Sequence, residues 1–280
     1  MELLKTVAEA RKYCFSVQKE GFQTGLVPTM GALHEGHLSL ISISAKENKI
    51  TLASIFVNPI QFNNPADLAK YPRTLEQDLT MLEKAGCQAV FAPDEQEMYA
   101  SKPLVKMDFG PLENVMEGAF RPGHFSGVGV VVSKLFNILQ PTRAYFGQKD
   151  LQQFLVIQQM VKDLSFPILL TCCPIIREPD GLAMSSRNVR LSPQNRPVAA
   201  KIYESLRLAA SLLPKEGVEK TKKTVAGFLD SYKELQLEYF EIADGTTLEP
   251  IEDPSNHKKV ALCIAVFLDG VRLIDNLIIE

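Results

Sequence analysis

Apolar positions along this chain alternate between two periods, and the alternation predicts strands spaced by helices up to about residue 173. Residues 2–20 carry Leu3, Leu4, Val7, Ala10, Cys14 and Val17 on one stripe, which predicts a single helix. A strand at 25–28 follows, then a turn, then a helix to about Lys46 that opens with Leu38, Leu40 and Ile41. Ile50 to Val57 is a nearly continuous apolar run, the pattern of a parallel strand covered on both faces. Asn58-Pro59 closes it. Thr74-x-x-Gln77 reads as a capping box ahead of Leu75, Leu79 and Leu82. Gly86 suits the end of that helix, and 88–92 reads as a strand. Val128 to Leu139 predicts a strongly apolar helix closed by Pro141. Arg143 to Phe146 predicts a strand, Leu151 to Leu164 a helix, and Ile168 to Cys173 a strand.

Such alternation predicts an α/β fold, a Rossmann-like parallel sheet with helices on both faces. Ligands of these sheets bind beyond the carboxyl ends of the strands. The texture changes after residue 176. Pro174, Pro179, Pro193 and Pro197 crowd a junction, and two helical patterns follow at 194–213 and 217–233. Residues 236–243 and 260–268 then read as strands with no long helix between them. The expected organisation is therefore a first domain over 1–176 and a smaller C-terminal α+β lid domain over 177–280.

Composition narrows the class. The 280 residues are 46% apolar and 22% charged, as in globular proteins. A net charge of −3 argues against broad binding to nucleic acid or membrane surfaces. No apolar stretch is long enough for a bilayer, and Met1 to Lys5 lacks a signal-peptide layout. The five cysteines (Cys14, Cys87, Cys172, Cys173 and Cys263) show no C-x-x-C spacing. Cys172 and Cys173 sit in an apolar run and read as buried free thiols, which points to a reducing cytoplasm.

Candidate chemistry gathers in loops after strands. Met30-Gly31-Ala32-Leu33-His34-Glu35-Gly36-His37 joins a strand to a helix. A helix amino terminus offers amides and a positive dipole end to phosphate, and the glycines let a ligand approach the backbone. His34 and His37 are three apart, on one helical face. Gly147-Gln148-Lys149-Asp150 follows another strand; Asp150 suits a helix cap, and Lys149 is either a phosphate contact or a solvated loop lysine. Gln153 would face the same opening. In Arg177 to Asn188, Ser185, Ser186 and Arg187 are either polyphosphate donors or part of a polar linker. Gln61, just past the buried strand, pairs a donor with an acceptor. Asp78 in its helix's first turns fits the dipole and is a weak Mg²⁺ candidate. Arg121 to Gly127 either orders an anion or is a plain loop. His257 reads as a solvated loop residue.

Together these segments resemble the pantothenate synthetase family. Met30 to His37 resembles its version of the H-x-G-H signature shared with class I aminoacyl-tRNA synthetases. Gly147 to Asp150 and Met184 to Arg187 resemble its two other nucleotide segments. The last is a degenerate K-M-S-K-S loop in which Arg187 is the only cation in Ala183 to Arg187. Asn63-Asn64 stands where the family would have a glycine. The resemblance implies ATP-dependent condensation of pantoate with β-alanine, giving pantothenate, AMP and pyrophosphate through an acyl-adenylate. It implies that Met30 to His37, Gly147 to Asp150, Ile176 and Met184 to Arg187 contact ATP. It assigns catalysis to His37, with His34 and Lys149, and pantoate to Gln61 and Gln153. It further implies Mg²⁺, a homodimer, and neither nucleic acid nor membrane as partner. The rivals are another nucleotidyltransferase acting on a phosphate-bearing acceptor, and a non-catalytic adenylate sensor.

Overall fold

Glu2–Leu4 form a strand, β1, and the first helix, α1, covers only Val7–Lys19. Apolar spacing merges the two into one stripe. A capping box sets the boundary: Thr6 accepts the Glu9 amide, and the Glu9 carboxylate takes the amides of Lys5 (2.8 Å) and Thr6 (2.9 Å). In chain order there follow β2 (Thr24–Thr29), α2 (Glu35–Glu47), β3 (Ile50–Ile55), α3 (Pro65–Ala69), α4 (Leu75–Lys84), β4 (Ala89–Phe91) and α5 (Glu95–Met98). Next come α6 (Met116–Phe120), α7 (His124–Leu139), β5 (Arg143–Gly147), α8 (Leu151–Asp163), β6 (Leu169–Cys173) and α9 (Lys201–Asp230). The chain ends with β7 (Gln236–Asp244), β8 (Val260–Leu268) and β9 (Val271–Ile279). The computed structural model describes all 280 residues.

Residues contact one another in two compact units. The first holds Met1–Phe109, Arg121–Gly147 and Val156–Cys173; the second holds Gly110–Phe120, Gln148–Leu155 and Pro174–Glu280. The second unit thus joins the C-terminal segment from Pro174 to two earlier pieces of the chain. Arg272 holds Glu117 with two hydrogen bonds of 2.7 Å, and Tyr239 donates to the same carboxylate. Gln152 braces the same stretch, donating to the carbonyls of Leu112 and Val115 and accepting the Glu117 amide.

The first unit is built on a six-stranded sheet, ordered β1-β4-β3-β2-β5-β6 with every pair parallel. Winding runs outward in both directions from the β2–β5 neighbours, which pair at Gly25↔Arg143 and Leu26↔Ala144. That reversal is where ligands of such sheets bind. One core cluster joins Val27, Ile41, Ala53, Leu82, Val90 and Tyr145. Burying each large apolar side chain contributes roughly 1.5–3 kcal/mol. Gly25 is required there, since a Cβ would fall 2.2 Å from Ser44 Oγ and 2.5 Å from Asn48 Nδ2.

Some expectations need correction. Thr74 stands at the start of α4 but makes no capping bond; its hydroxyl turns to Asp78 instead. The helix expected from Val128 starts earlier, at His124. Cys172 is exposed, because β6 is an edge strand with one side open, while Cys173 is buried. All five cysteines are free thiols. Asn64 caps α3 by accepting the Ala66 amide.

The second unit packs α9 over an antiparallel sheet ordered β7-β8-β9. The two helical patterns reappear as one helix that breaks at Gly217 (φ 73°, ψ 178°), just past Pro214. The first pattern starts at Lys201, after a short 3₁₀ turn, and not at 194. β9 is absent from the sequence expectation. Its alternation is hidden by Asp275 and Asn276, which are polar yet only 3% exposed. His257 also departs from expectation, since its Nδ1 lies 2.8 Å from Asp244 Oδ2. No helix is long and apolar enough to cross a membrane.

Candidate active site

The turn after β2 is shaped by one buried carboxylate. Gly31 (φ 81°) and Ala32 (φ 51°) both take the left-handed conformation, which disfavours the alanine. Asp78 compensates: Oδ2 accepts the Ala32 amide at 2.9 Å and Oδ1 the Leu33 amide at 2.8 Å. Thr74 donates to both oxygens at 3.2 Å. A Cβ on Gly31 would meet Asp78 Oδ2 at 2.9 Å, so the close approach needs glycine.

That turn delivers His34 as the cap of α2. Its Nδ1 accepts the Gly36 amide at 3.1 Å, and its ring lies 4.1 Å from that of His37, tilted by 43°. With Nδ1 accepting, the neutral ring carries its proton on Nε2. The expectation of open backbone amides for a phosphate is corrected here. Those of Ala32, Leu33 and Gly36 are already engaged, so side chains dominate the donor set of this turn. Glu35 is exposed, and Met30, His34, Gly36 and His37 are half-buried.

Gln61 stands beside the same turn, its Nε2 3.2 Å from Met30 Sδ. Two groups bond it directly, and each is held by another. Asn58 donates to Gln61 Oε1 at 2.9 Å and to the Gly127 carbonyl at 3.2 Å. Tyr99 donates to Asn58 Oδ1 at 2.8 Å. His124 Nδ1 lies 2.9 Å from the Gln61 carbonyl, and Arg121 donates to its Nε2 at 3.2 Å. The Arg121 to Gly127 segment is therefore a built support and not a plain loop. Burial pushes the Tyr99 phenol well above its ordinary value, which keeps it a donor. Asn58 and Asp78 are each only 1% exposed.

In the second unit, Gln148–Asp150 form a 3₁₀ turn that runs straight into α8. Asp150 is thus part of a helical lead-in, with its carboxylate 3.5 Å from Lys149 Nζ. Gln153 is half-buried in the first turn of α8. Ile176 and Met184 face each other across a narrow ladder, where the Met184 amide donates to the Ile176 carbonyl at 3.0 Å. Ser185 Oγ accepts the Arg187 amide at 3.2 Å, so Ser185, Ser186 and Arg187 form one tight turn. Asn188 pins it by donating to Glu178 and to the Ala183 carbonyl.

The residues do not fit a metal held by protein ligands. No group of three or more His, Cys, Asp or Glu side chains is arranged for an ion. Asp78, the candidate ligand, spends both oxygens on backbone amides and a hydroxyl.

The sequence matches the pantoate-beta-alanine ligase family over residues 2–278. The chain belongs to the pantoate–β-alanine ligase family. It is 49% identical over 278 residues to a pantothenate synthetase of Cytophaga hutchinsonii, covering 99% of this chain and 98% of that one. The crystal structure of pantothenate synthetase from Thermus thermophilus is similar, with a TM-score of 0.93 and 42% identity. That similarity covers 99% of both chains. A pantoate-beta-alanine ligase from Francisella tularensis, complexed with beta-gamma ATP and beta-alanine, has a TM-score of 0.83. It is 35% identical, over 99% of this chain and 97% of that one.

Motif spacing does not disclose two features of this ligase. Tyr99 lies in an unpatterned stretch, and nothing local links it to Asn58, 41 positions away. Asp275 and Asn276 do leave a trace, as two adjacent polar residues inside an apolar β run.

Proposed function

We propose that this enzyme joins pantoate to β-alanine with ATP, releasing AMP and pyrophosphate through pantoyl adenylate. Membership of the ligase family over residues 2–278 carries the reading. In the first step a pantoate carboxylate oxygen attacks the α-phosphorus, and the bond to the β-phosphate breaks. Two anions meet there, so positioning and charge stabilisation matter more than a protein nucleophile. In the second step the β-alanine amine attacks the acyl carbon, AMP leaves, and the nitrogen loses a proton.

The roles follow from the chemistry of each group. His34 offers Nε2–H to a phosphate oxygen. His37, one helical turn on, serves the departing pyrophosphate as proton donor. Lys149 meets the phosphate chain as a point charge. Ser185, Ser186 and Arg187 add hydroxyl and guanidinium donors, with Met30 to Gly36, Gly147, Gln148, Asp150, Ile176 and Met184 as the remaining ATP contacts. Gln61 turns its Nε2 donor face to an oxygen of pantoate, because Asn58 occupies its Oε1. Gln153 is the second pantoate residue. Mg²⁺ bound to ATP would take its ligands from the phosphates and water, and would supply charge neutralisation there. Asp78 takes the role of brace. A cytoplasmic homodimer completes the reading.

The test is product formation. The protein with ATP should release AMP only when pantoate and β-alanine are both present. Transfer of the nucleotide to a phosphate-bearing acceptor would overturn the reading. Lys149→Ala separates catalysis from binding: a loss in kcat marks a transition-state contact, whereas a rise in ATP KM alone marks uniform binding.

A further inference from the structure

Within the second unit, one segment assigned above to ATP and the stretch that leads into another are tied to one pair of adjacent residues on β9. Asn276 donates from Nδ2 to the carbonyls of Gln148 (2.9 Å) and Lys149 (3.0 Å). Its Oδ1 accepts from Gln148 Nε2 at 3.1 Å. Asp275 binds Arg177 with both oxygens, at 2.6 and 3.0 Å. Arg177 in turn donates to the carbonyls of Gly181 (3.1 Å) and Asn276 (3.2 Å), and its guanidinium stacks 3.8 Å over the Tyr203 ring. Successive side chains of a strand leave on opposite faces. Neighbours on β9 can therefore serve two different segments.

The two carbonyls held by Asn276 belong to the two peptides that flank Lys149. Holding those planes sets the direction in which the Lys149 side chain leaves the backbone. Arg177 opens the segment that runs to Asn188, and its bonds to Asp275 and Gly181 fix the bend that returns the chain to Met184. Asp275 and Asn276 are each 3% exposed, so neither offers its polar atoms to a ligand. A pair of polar residues buried this deeply is costly unless every group is partnered, and here the side-chain partners are Gln148 and Lys149, which belong to a candidate ATP segment, and Arg177, which leads into another.

We infer that Asp275 and Asn276 are positioning residues for ATP: Asn276 aims Lys149, and Asp275 sets the 177–188 segment through Arg177. This rests on the assignment of Lys149 and Met184 to Arg187 as ATP contacts.

Calorimetric titration of ATP into the full chain tests it without requiring turnover. Asn276→Ala removes three side-chain hydrogen bonds and should weaken ATP binding by about tenfold, the scale of one net hydrogen bond passed on to the Lys149 contact, while β-alanine KM is unchanged. Thermal unfolding of each variant runs alongside. A residue with only a structural role would lower Tm and leave ATP affinity in the folded fraction intact; that result overturns the inference. Should Asn276→Ala fail to fold, Asn276→Ser keeps one donor on a shorter arm and should show the same ATP-selective loss. Lys149→Ala is the separating control. If it binds and turns over ATP normally, the Lys149 assignment falls and the inference with it. If it is impaired while Asn276→Ala binds ATP as wild type does, only the positioning role is overturned.

Discussion

Asp78 Oδ1 lies 2.8 Å from the Leu33 amide, across 45 positions of chain. An acid on α4 thereby fixes the turn that presents both histidines. The relation explains why an aspartate sits buried near the sheet's carboxyl edge. It also explains how Ala32 is kept at φ 51°, a conformation costing an ordinary residue about 1–2 kcal/mol.

Asp78→Asn should therefore lose both stability and rate. The amide keeps one acceptor and turns an NH₂ toward the other backbone N–H. Leaving that buried donor unmet costs roughly 1–3 kcal/mol. Tm should drop by several degrees, and pyrophosphate release in a single turnover should slow. Titrating Mg²⁺ decides between brace and ligand. Rate restored by excess Mg²⁺ would assign Asp78 to the metal after all.

His37→Ala should slow adenylate formation by roughly two to four powers of ten, the range for a lost transition-state donor or acid. Folding should be preserved, because the α2 cap is His34 and not His37. Single-turnover pyrophosphate release measures it, and a wild-type rate would remove the assignment.

How much of this was legible follows from the range of each interaction. The parallel sheet could be read because each buried strand is a local apolar run, as in 50–57. The turn 30–37 could be read because its chemistry is contiguous. β1 was lost because Leu3 and Leu4 continue the stripe of α1, and only the Thr6–Glu9 box separates them. β9 was lost because Asp275 and Asn276 interrupt its pattern, for reasons that lie far back in the chain at Arg177 and Lys149. The bracing bonds of Asp78 were hidden for a similar reason. Its partners are backbone amides, and a sequence shows side chains alone.

Tyr99→Phe tests the relay behind Gln61. Asn58 Nδ2 faces two acceptors, Gln61 Oε1 and the Gly127 carbonyl, so its Oδ1 needs a donor, and Tyr99 supplies it. Without the hydroxyl the Asn58 amide loses its fixed sense, and Gln61 no longer presents Nε2 reliably. A net hydrogen bond of about 0.5–1.5 kcal/mol corresponds to a rise in pantoate KM of roughly twofold to tenfold. The ATP KM should stay constant. Equal changes in both constants would show that Tyr99 supports the fold in general.

Acid should destabilise the second unit through Asp269 and Asp244. The Ser192 amide, then the Asn195 side chain and the Ser192 hydroxyl, hold the Asp269 carboxyl below its ordinary value. At Asp244 burial works upward, but the hydrogen bonds from His257, Thr247 and Thr246 outweigh it and leave the group low. A lowered folded value means that the unfolded chain binds more protons near the ordinary value of 3.8. The stabilisation is therefore complete above that value and is lost as pH falls through the folded values. Tm measured from about pH 7 downward should be flat with respect to these groups until about pH 4 and then decline. Asp269→Asn removes one titrating group, so its decline should be shallower. An acid limb identical to wild type would show that Asp269 carries none of the linkage.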